Sequence, residues 1–310
     1  MGQTSKPIII GTRGSQLALW QARYVQNLLK EKGLDTVLKI THTKGDRIQN
    51  QPLCEIGGKG VFIREIEHSL LDCSIDIGVH SLKDLPIDIP EQLELAAFLP
   101  RGPHQDILVL GSHIKNFQQF KELNKPIVAT GSLRRTRLIR ELFPSIITVP
   151  IRGNIDTRLR KLNENKYDGL ILAQAGLERL NLLSTLKHYT LDSTNFIPSP
   201  CQGTITVECR KNTPISQILA QIDCPITREE TKIERGVLKF LGADCTVPVG
   251  VHAQTLSNGF QVNAVVFSCN GPESFRCHIN SPTSELALQA VTETLKNQGV
   301  KHATINTWNT

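Results

Sequence analysis

Aromatic residues are scarce in this chain of 310 residues: ten Phe, three Tyr and two Trp. That is thin for a platform on which single-stranded bases stack. Long apolar runs are missing too. Runs such as those at 7–10 and 169–173 are strand-sized, and none approaches the roughly 20 residues of a membrane-spanning helix. Eight cysteines occur, yet no two stand as Cys-x-x-Cys, and no metal site is expected. The segment before Ile8 has no secretory apolar stretch. Reduced thiols and a cytoplasmic location are therefore expected, and each cysteine on its own reads as a small buried hydrophobe. Internal repeats and low-complexity stretches are absent.

What is present is ordinary for a globular protein: 39% hydrophobic and 21% charged residues, a composition that excludes disorder. The length suits two or three domains and a core that needs no staples. Lys and Arg number 35 against 29 acids, a formal charge of +6. This modest excess favours an anionic partner without naming it.

Apolar periodicity alternates between strand and helix over the first two thirds of the chain. Strands are expected at 7–12, 36–43 and 75–79, with helices at 17–29, ended by Gly33, and at 60–71. A Pro/Gly-rich stretch, Leu99-Pro100-Arg101-Gly102-Pro103, marks a hinge. A second series follows, with strands at 106–110, 127–130, 146–150 and 170–173 and helices at 132–142 and 154–163. Such alternation predicts two α/β domains with mainly parallel sheets. The strand at 204–209 is placed to cross back to the first domain. Beyond it, a long helix at 228–241, three strands near 247–255, 260–268 and 274–280, and a helix at 284–297 predict a small α+β domain.

Three strand-to-helix loops share one design. Gly11-Thr12-Arg13-Gly14-Ser15, Thr130-Gly131-Ser132-Leu133-Arg134-Arg135 and Arg152-Gly153-Asn154 each put small residues and a Ser or Asn at a helix start. Free N–H groups and the helix dipole attract anions there, and arginine matches a carboxylate bidentately. One such loop reads as a plain helix cap with a solvated arginine; three point to an anion site at the carboxyl ends of strands. His80-Ser81-Leu82-Lys83-Asp84-Leu85-Pro86 sets a carboxylate beside an ammonium after a buried strand. Taken alone it is a turn acid and a surface lysine, with His80 a structural histidine. Gly57-Gly58-Lys59-Gly60 resembles a phosphate loop only loosely. Cys245, in a turn between helix and strand, is a better nucleophile candidate than a strand-buried thiol.

In their order and spacing these segments, with Leu17 to Ala22, Ala175-Gly176-Leu177 and Val247-Pro248-Val249-Gly250, resemble the porphobilinogen deaminase family along most of the chain. The resemblance implies two lobes like those of periplasmic binding proteins plus a small α+β domain: 1–101 with 198–222, then 104–196, then 225–310. It implies that four porphobilinogen molecules are condensed stepwise into the linear tetrapyrrole hydroxymethylbilane, releasing ammonia each time. Growth starts from a covalent dipyrromethane cofactor whose thioether cysteine matches Cys245. The family's catalytic aspartate matches Asp84. Its substrate- and cofactor-binding positions match Arg13, Ser15, Lys59, Lys83, Thr130, Ser132, Arg134, Arg135, Arg152, Gly153, Asn154, Arg158, Arg179 and Gln202. A monomer with no nucleic-acid or membrane partner is implied. Each pyrrole ring brings an acetate and a propionate, so the growing chain is a polyanion that needs many bidentate donors.

Departures from the family pattern are Ala243-Asp244 where two glycines usually precede the cysteine, Cys201 for a glycine, Thr204 for an alanine and Gln16 for a proline. Rival readings are a non-catalytic anion-binding protein built from the same lobes and a nucleic-acid binder. The first leaves Cys245 and the Lys83-Asp84 pair unexplained. The second needs a basic face with aromatics rather than arginines gathered at strand ends.

Overall fold

The computed structural model describes residues 6–41, 63–164, 166–242, 247–268 and 271–300. Two compact units divide the chain: Met1–Arg101 with Thr204–Arg228, and Gly102–Gly203 with Glu229–Thr310. Among the described residues, no helix is long and apolar enough to cross a membrane.

The first unit opens with β1 (Ile8–Arg13), α1 (Gln16–Glu31) and β2 (Thr36–Thr41). Helix α1 forms where a cap and an apolar stripe coincide. Ser15 accepts the Ala18 N–H, and Ala22, Val25 and Leu29 are fully buried at helical spacing, the last two worth about 1.5–3 kcal/mol each. Gly33, at φ +77°, stops it. The Gly33 N–H reaches the Lys30 carbonyl and the Leu34 N–H reaches Leu29, a closure that needs a left-handed residue. Next come α2 (Arg64–Leu71), β3 (Ile77–Ser81) and β4 (Leu93–Phe98). The expected helix from Gly60 is described only from Arg64 onward.

The second unit repeats the plan. It runs β5 (Asp106–Leu110), α3 (Phe117–Glu122), β6 (Ile127–Ala129), α4 (Leu133–Leu142), β7 (Ile147–Val149), α5 (Ile155–Glu164), β8 (Gly169–Ala173), α6 (Gln174–Arg179) and β9 (His188–Leu191). The chain then supplies β10 (Ile205–Arg210) and α7 (Pro214–Leu219) to the first unit. The sheet orders are β2-β1-β3-β10-β4 and β7-β6-β8-β5-β9.

In each sheet the first three strands are parallel and the fourth, β10 or β5, runs antiparallel to both its neighbours. The expectation of mainly parallel sheets is thus corrected: both are mixed. The reason is connectivity. Strand β10 enters the first sheet from outside its alternating series and β5 opens the second series, so neither is the second strand of a right-handed crossover that would dictate its direction. The strand expected to cross back does so as β10. Strands β4 and β9 escaped the periodicity; β9 reads His-Tyr-Thr-Leu with only Leu191 buried, too short an edge to alternate.

The chain ends in α8 (Pro225–Leu241), β11 (Val249–Leu256), β12 (Gly259–Phe267), β13 (Ser274–Ser281) and α9 (Ser284–Asn297), the three strands forming an antiparallel sheet in sequence order. Strand β12 is buried on both faces, by the alternation of its side chains. Val262, Ala264 and Val266 join Ile233 and Val237 of α8 and Val291 and Leu295 of α9, while Val265 and Phe267 join Leu108 and Phe196.

Between Pro200 and β10 the backbone turns sharply. Cys201 is buried at φ +62° and Gly203 lies at φ +92°, where a Cβ would come 2.5 Å from the Gly102 carbonyl oxygen. Only glycine fits at 203. At 201 a side chain is held against its preferred conformation, which costs roughly 1–2 kcal/mol. Cys201→Gly should therefore be more stable than Cys201→Ala by about 1 kcal/mol, read from the urea midpoints of the two variants. Equal midpoints would show that the turn carries no such strain.

Candidate functional site

In the first unit β1 and β3 are parallel neighbours, with Ile10 beside Ile77 and Gly11 beside Gly78. Their carboxyl ends therefore emerge together, where open α/β sheets bind ligands. Arg13 ends β1, and Ser15 follows as the α1 cap. The Ser81-Leu82-Lys83-Asp84 segment ends β3 and tightens into a short 3₁₀ turn over Leu82–Asp84. Three contacts hold that turn. The Gln21 amide of α1 donates to Ser81 Oγ at 2.7 Å, the Leu82 N–H donates to the Thr204 carbonyl at 3.0 Å, and buried Leu82 anchors its middle. Asp84 is exposed, and Lys83 and Arg13 are half-buried. A carboxylate so placed is free to meet a ligand while its backbone stays fixed.

In the second unit the same argument joins the other two loops. Strands β6 and β7 are parallel neighbours, the Thr130 N–H donates to the Val149 carbonyl, and a Cβ on Gly131 would lie 2.8 Å from the Ile151 oxygen. Ser132 caps α4 by accepting the Arg135 N–H; Asn154 accepts the Thr157 N–H at the start of α5. Thr130 Oγ1 accepts the Ser132 N–H. Gly153 sits at φ +117°, and its carbonyl accepts from Arg158 Nε at 2.7 Å. Arg152 is exposed and Arg158 half-buried. These caps use some of the N–H groups that the sequence leaves open to an anion.

Arg134 and Arg135 depart from the expectation of open forks. They are 4% and 7% exposed, and both reach the fully buried Asp106 at the start of β5. Arg134 Nη2 donates to Asp106 Oδ2 at 2.9 Å and its Nη1 to the Ile197 carbonyl. Arg135 donates to Asp106 Oδ1 from Nε at 3.1 Å and Nη2 at 2.7 Å, and from Nη1 to the Ile171 carbonyl. Gln202, fully buried, donates to Asp106 Oδ1 at 3.0 Å and to the His104 carbonyl at 2.8 Å. Arg179 Nη2 donates to the Gly203 carbonyl at 2.6 Å. The physical reason is Asp106 itself. A buried carboxylate must be paired, and these are the groups within reach. Sequence reasoning missed it, although an acid opening a buried strand right after the Pro/Gly hinge was a signal.

Burial drives the Asp106 carboxyl upward, but the Arg134 and Arg135 guanidiniums and the Gln202 amide overcome it and hold it far below the usual carboxylate range. Burial pulls Arg134 down, Asp106 opposes this, and Arg135 adds to it. Among the described residues, the cluster sets two guanidiniums against one carboxylate, which leaves one surplus positive charge sheltered from water.

Two other thiols are shielded by burial. Burial, then the Glu94 charge, pushes Cys209 up to about 12, and burial pushes Cys277 up to about 11. Cys73 is exposed, contrary to the reading of a buried hydrophobe. Lys59 and Cys245 lie outside the described residues.

Asp106→Asn should cost about 3–5 kcal/mol, because two buried guanidiniums lose their counter-charge. Asp106 is depressed in the folded state, so its contribution is complete above the unfolded value near 3.9 and fades as pH falls through the folded value. Urea unfolding at neutral and acidic pH should show the gap between wild type and variant narrowing in acid; a gap below about 1 kcal/mol at pH 7 would mean water reaches the arginines.

Comparison with known proteins follows the same outline. Residues 8–217 match the porphobilinogen deaminase, dipyromethane cofactor binding domain, and residues 229–297 match the porphobilinogen deaminase, C-terminal domain. Porphobilinogen deaminase of Sulfurimonas denitrificans is 41% identical over 272 residues, 86% of this chain and 86% of that one. The probable porphobilinogen deaminase of Methanosarcina acetivorans is 43% identical over 274 residues, 87% and 84% of the two chains. Porphobilinogen deaminase of Campylobacter hominis is 41% identical over 267 residues, 85% of each chain. With both domains matched in order, and relatives aligned across most of either chain, this protein belongs to the porphobilinogen deaminase family.

Proposed function

We propose that this chain is a hydroxymethylbilane synthase, joining four porphobilinogen molecules stepwise into hydroxymethylbilane with loss of ammonia at each step, from a dipyrromethane primer. The observation that carries the reading is the buried Arg134–Asp106–Arg135 cluster with its surplus positive charge. It lies in the unit whose neighbouring loops bear Arg152 and Arg158. A linear chain of rings, each with two carboxylates, is the anion such a set fits. A nucleic acid, recognised through its phosphates and bases, is not.

The same cluster fits the primer. Arg134 and Arg135 hold its carboxylates by exchanging part of their contact with Asp106, and Cys245 carries it through a thioether. When bound, the dipyrromethane supplies the pyrrole carbon from which the chain grows. Arg152, Arg158 and Arg179 take further carboxylates, with Lys59, Thr130, Ser132, Gly153, Asn154 and Gln202 shaping that side. Arg13, Ser15 and Lys83 bind incoming porphobilinogen beside Asp84. Asp84 bears the chemical burden. Ammonia leaves only as the substrate's ring gathers positive charge, and a preorganised carboxylate stabilises that charge and can take the proton released when the ring carbons join.

The setting belongs to the same proposal: a cytoplasmic monomer that uses no nucleic acid. Free thiols at Cys201, Cys209 and Cys224 support a reducing compartment. A division into 1–101 with 198–222, 104–196 and 225–310 is supported by the separate apolar core beneath β11 to β13.

Two measurements test this. Intact-protein mass should exceed that of the sequence by two porphobilinogen units less their ammonia, and Cys245→Ser should abolish both the excess and the activity. An active enzyme without added mass would end the covalent-primer reading. Asp84→Asn should fold and bind porphobilinogen yet lose about 10²–10³-fold in kcat, with KM little changed. A variant within a few-fold of wild type would make Asp84 a turn residue.

A further inference from the structure

Inside the first unit lies a buried polar cluster that the chemistry above does not touch. His80 and Glu208 are 6% and 0% exposed, with His80 Nε2 3.1 Å from Glu208 Oε2. Glu67 of α2 is 9% exposed and within electrostatic reach of both. Burial first, then the charge of Glu208, raises its carboxyl above the ordinary value. One carboxylate oxygen of each glutamate is buried with no hydrogen-bond partner among the described residues.

Stability alone gives such a cluster little reason to exist. Replacing a buried ion pair by packed apolar side chains is often neutral or stabilising, and the best-attested use of such a pair is to fix a register. Here the backbone is shaped around it. Strand β10 is bulged against β4 between Val207 and Glu208, and a bulge re-aims the side chain beside it. Across the β3 ladder Glu208 stands opposite Gly78, where a Cβ would come 2.8 Å from His80 Nε2. Bulge and glycine together open the slot in which carboxylate and imidazole meet.

That slot sits one residue before the end of β3. Beyond it come Ser81, held by Gln21, and Leu82, held by Thr204, and then the turn that closes on Asp84. A one-residue slip of β3 on β10 would exchange the faces of the whole segment. We propose that Glu208 is a positioning residue for Asp84, acting through its buried contact with His80 on the strand that runs into the Asp84 turn. The inference rests on Asp84 being the carboxylate of the reaction.

A double-mutant cycle tests it, on enzyme whose primer is confirmed by mass and whose fold is confirmed by circular dichroism. Glu208→Gln keeps the volume and removes the charge. It should lower kcat about tenfold, since small misplacements of a catalytic group are costly, and leave KM within about twofold. In the Asp84→Asn background the same change should cost less than about twofold, because the group it positions is already disabled. Equal losses in both backgrounds would overturn the proposal and leave Glu208 a structural residue, as would a Glu208→Gln enzyme with wild-type kcat. An Asp84→Asn enzyme near wild type would instead overturn the reading of Asp84, and this proposal with it. If Glu208→Gln does not fold, His80→Gln, which retains an amide donor, is read in the same cycle against the same outcomes.

Discussion

A single buried carboxylate ties the second unit together. Asp106 opens β5, the antiparallel strand of its sheet, and draws onto itself the first turn of α4 through Arg134 and Arg135 and the 197–203 segment through Gln202. Each of these groups is sheltered from water, so none can be released without leaving a charge or amide unpaired. The cluster is also unbalanced, with two guanidiniums to one carboxylate. Through it one strand, one helix start and one loop are held together.

The first unit solves a different problem. Where Asp106 is buried and paired, Asp84 is exposed. Its precision comes from the backbone, through the short turn pinned by Gln21, Thr204 and the apolar anchor Leu82. Side-chain freedom and backbone rigidity are thus separated along three successive residues. His80 lies one step further back on the same strand, in buried contact with Glu208 of β10.

Much of this was legible in the residues. Alternating periodicity located β1, α1, β3, β6, α4, β8 and the three strands of the C-terminal sheet, because strand and helix bury their apolar residues at different spacings. The caps at Ser15, Ser132 and Asn154 were visible for the same local reason: a short polar side chain before an amphipathic run has an N–H to accept. The gathering of small residues and arginines after strands pointed to an anion, and the motifs in order pointed to the family that the comparisons establish.

The amino-acid sequence by itself determined the elements, their caps, the three arginine-bearing loops and the Lys83-Asp84 turn, since each depends on residues within a few positions of one another. Tertiary structure alone decided which arginines face inward. Arg134 and Arg135 read like Arg152 in the sequence, yet they meet Asp106, which stands 28 and 29 positions away, whereas Arg152 stays exposed. It decided that β5 and β10 run against their neighbours, because neither is the second strand of a right-handed crossover that would set its direction. It also decided that Glu208 meets His80, 128 positions distant. No local period encodes such a meeting; it requires a bulge, a glycine opposite and two strands already in register.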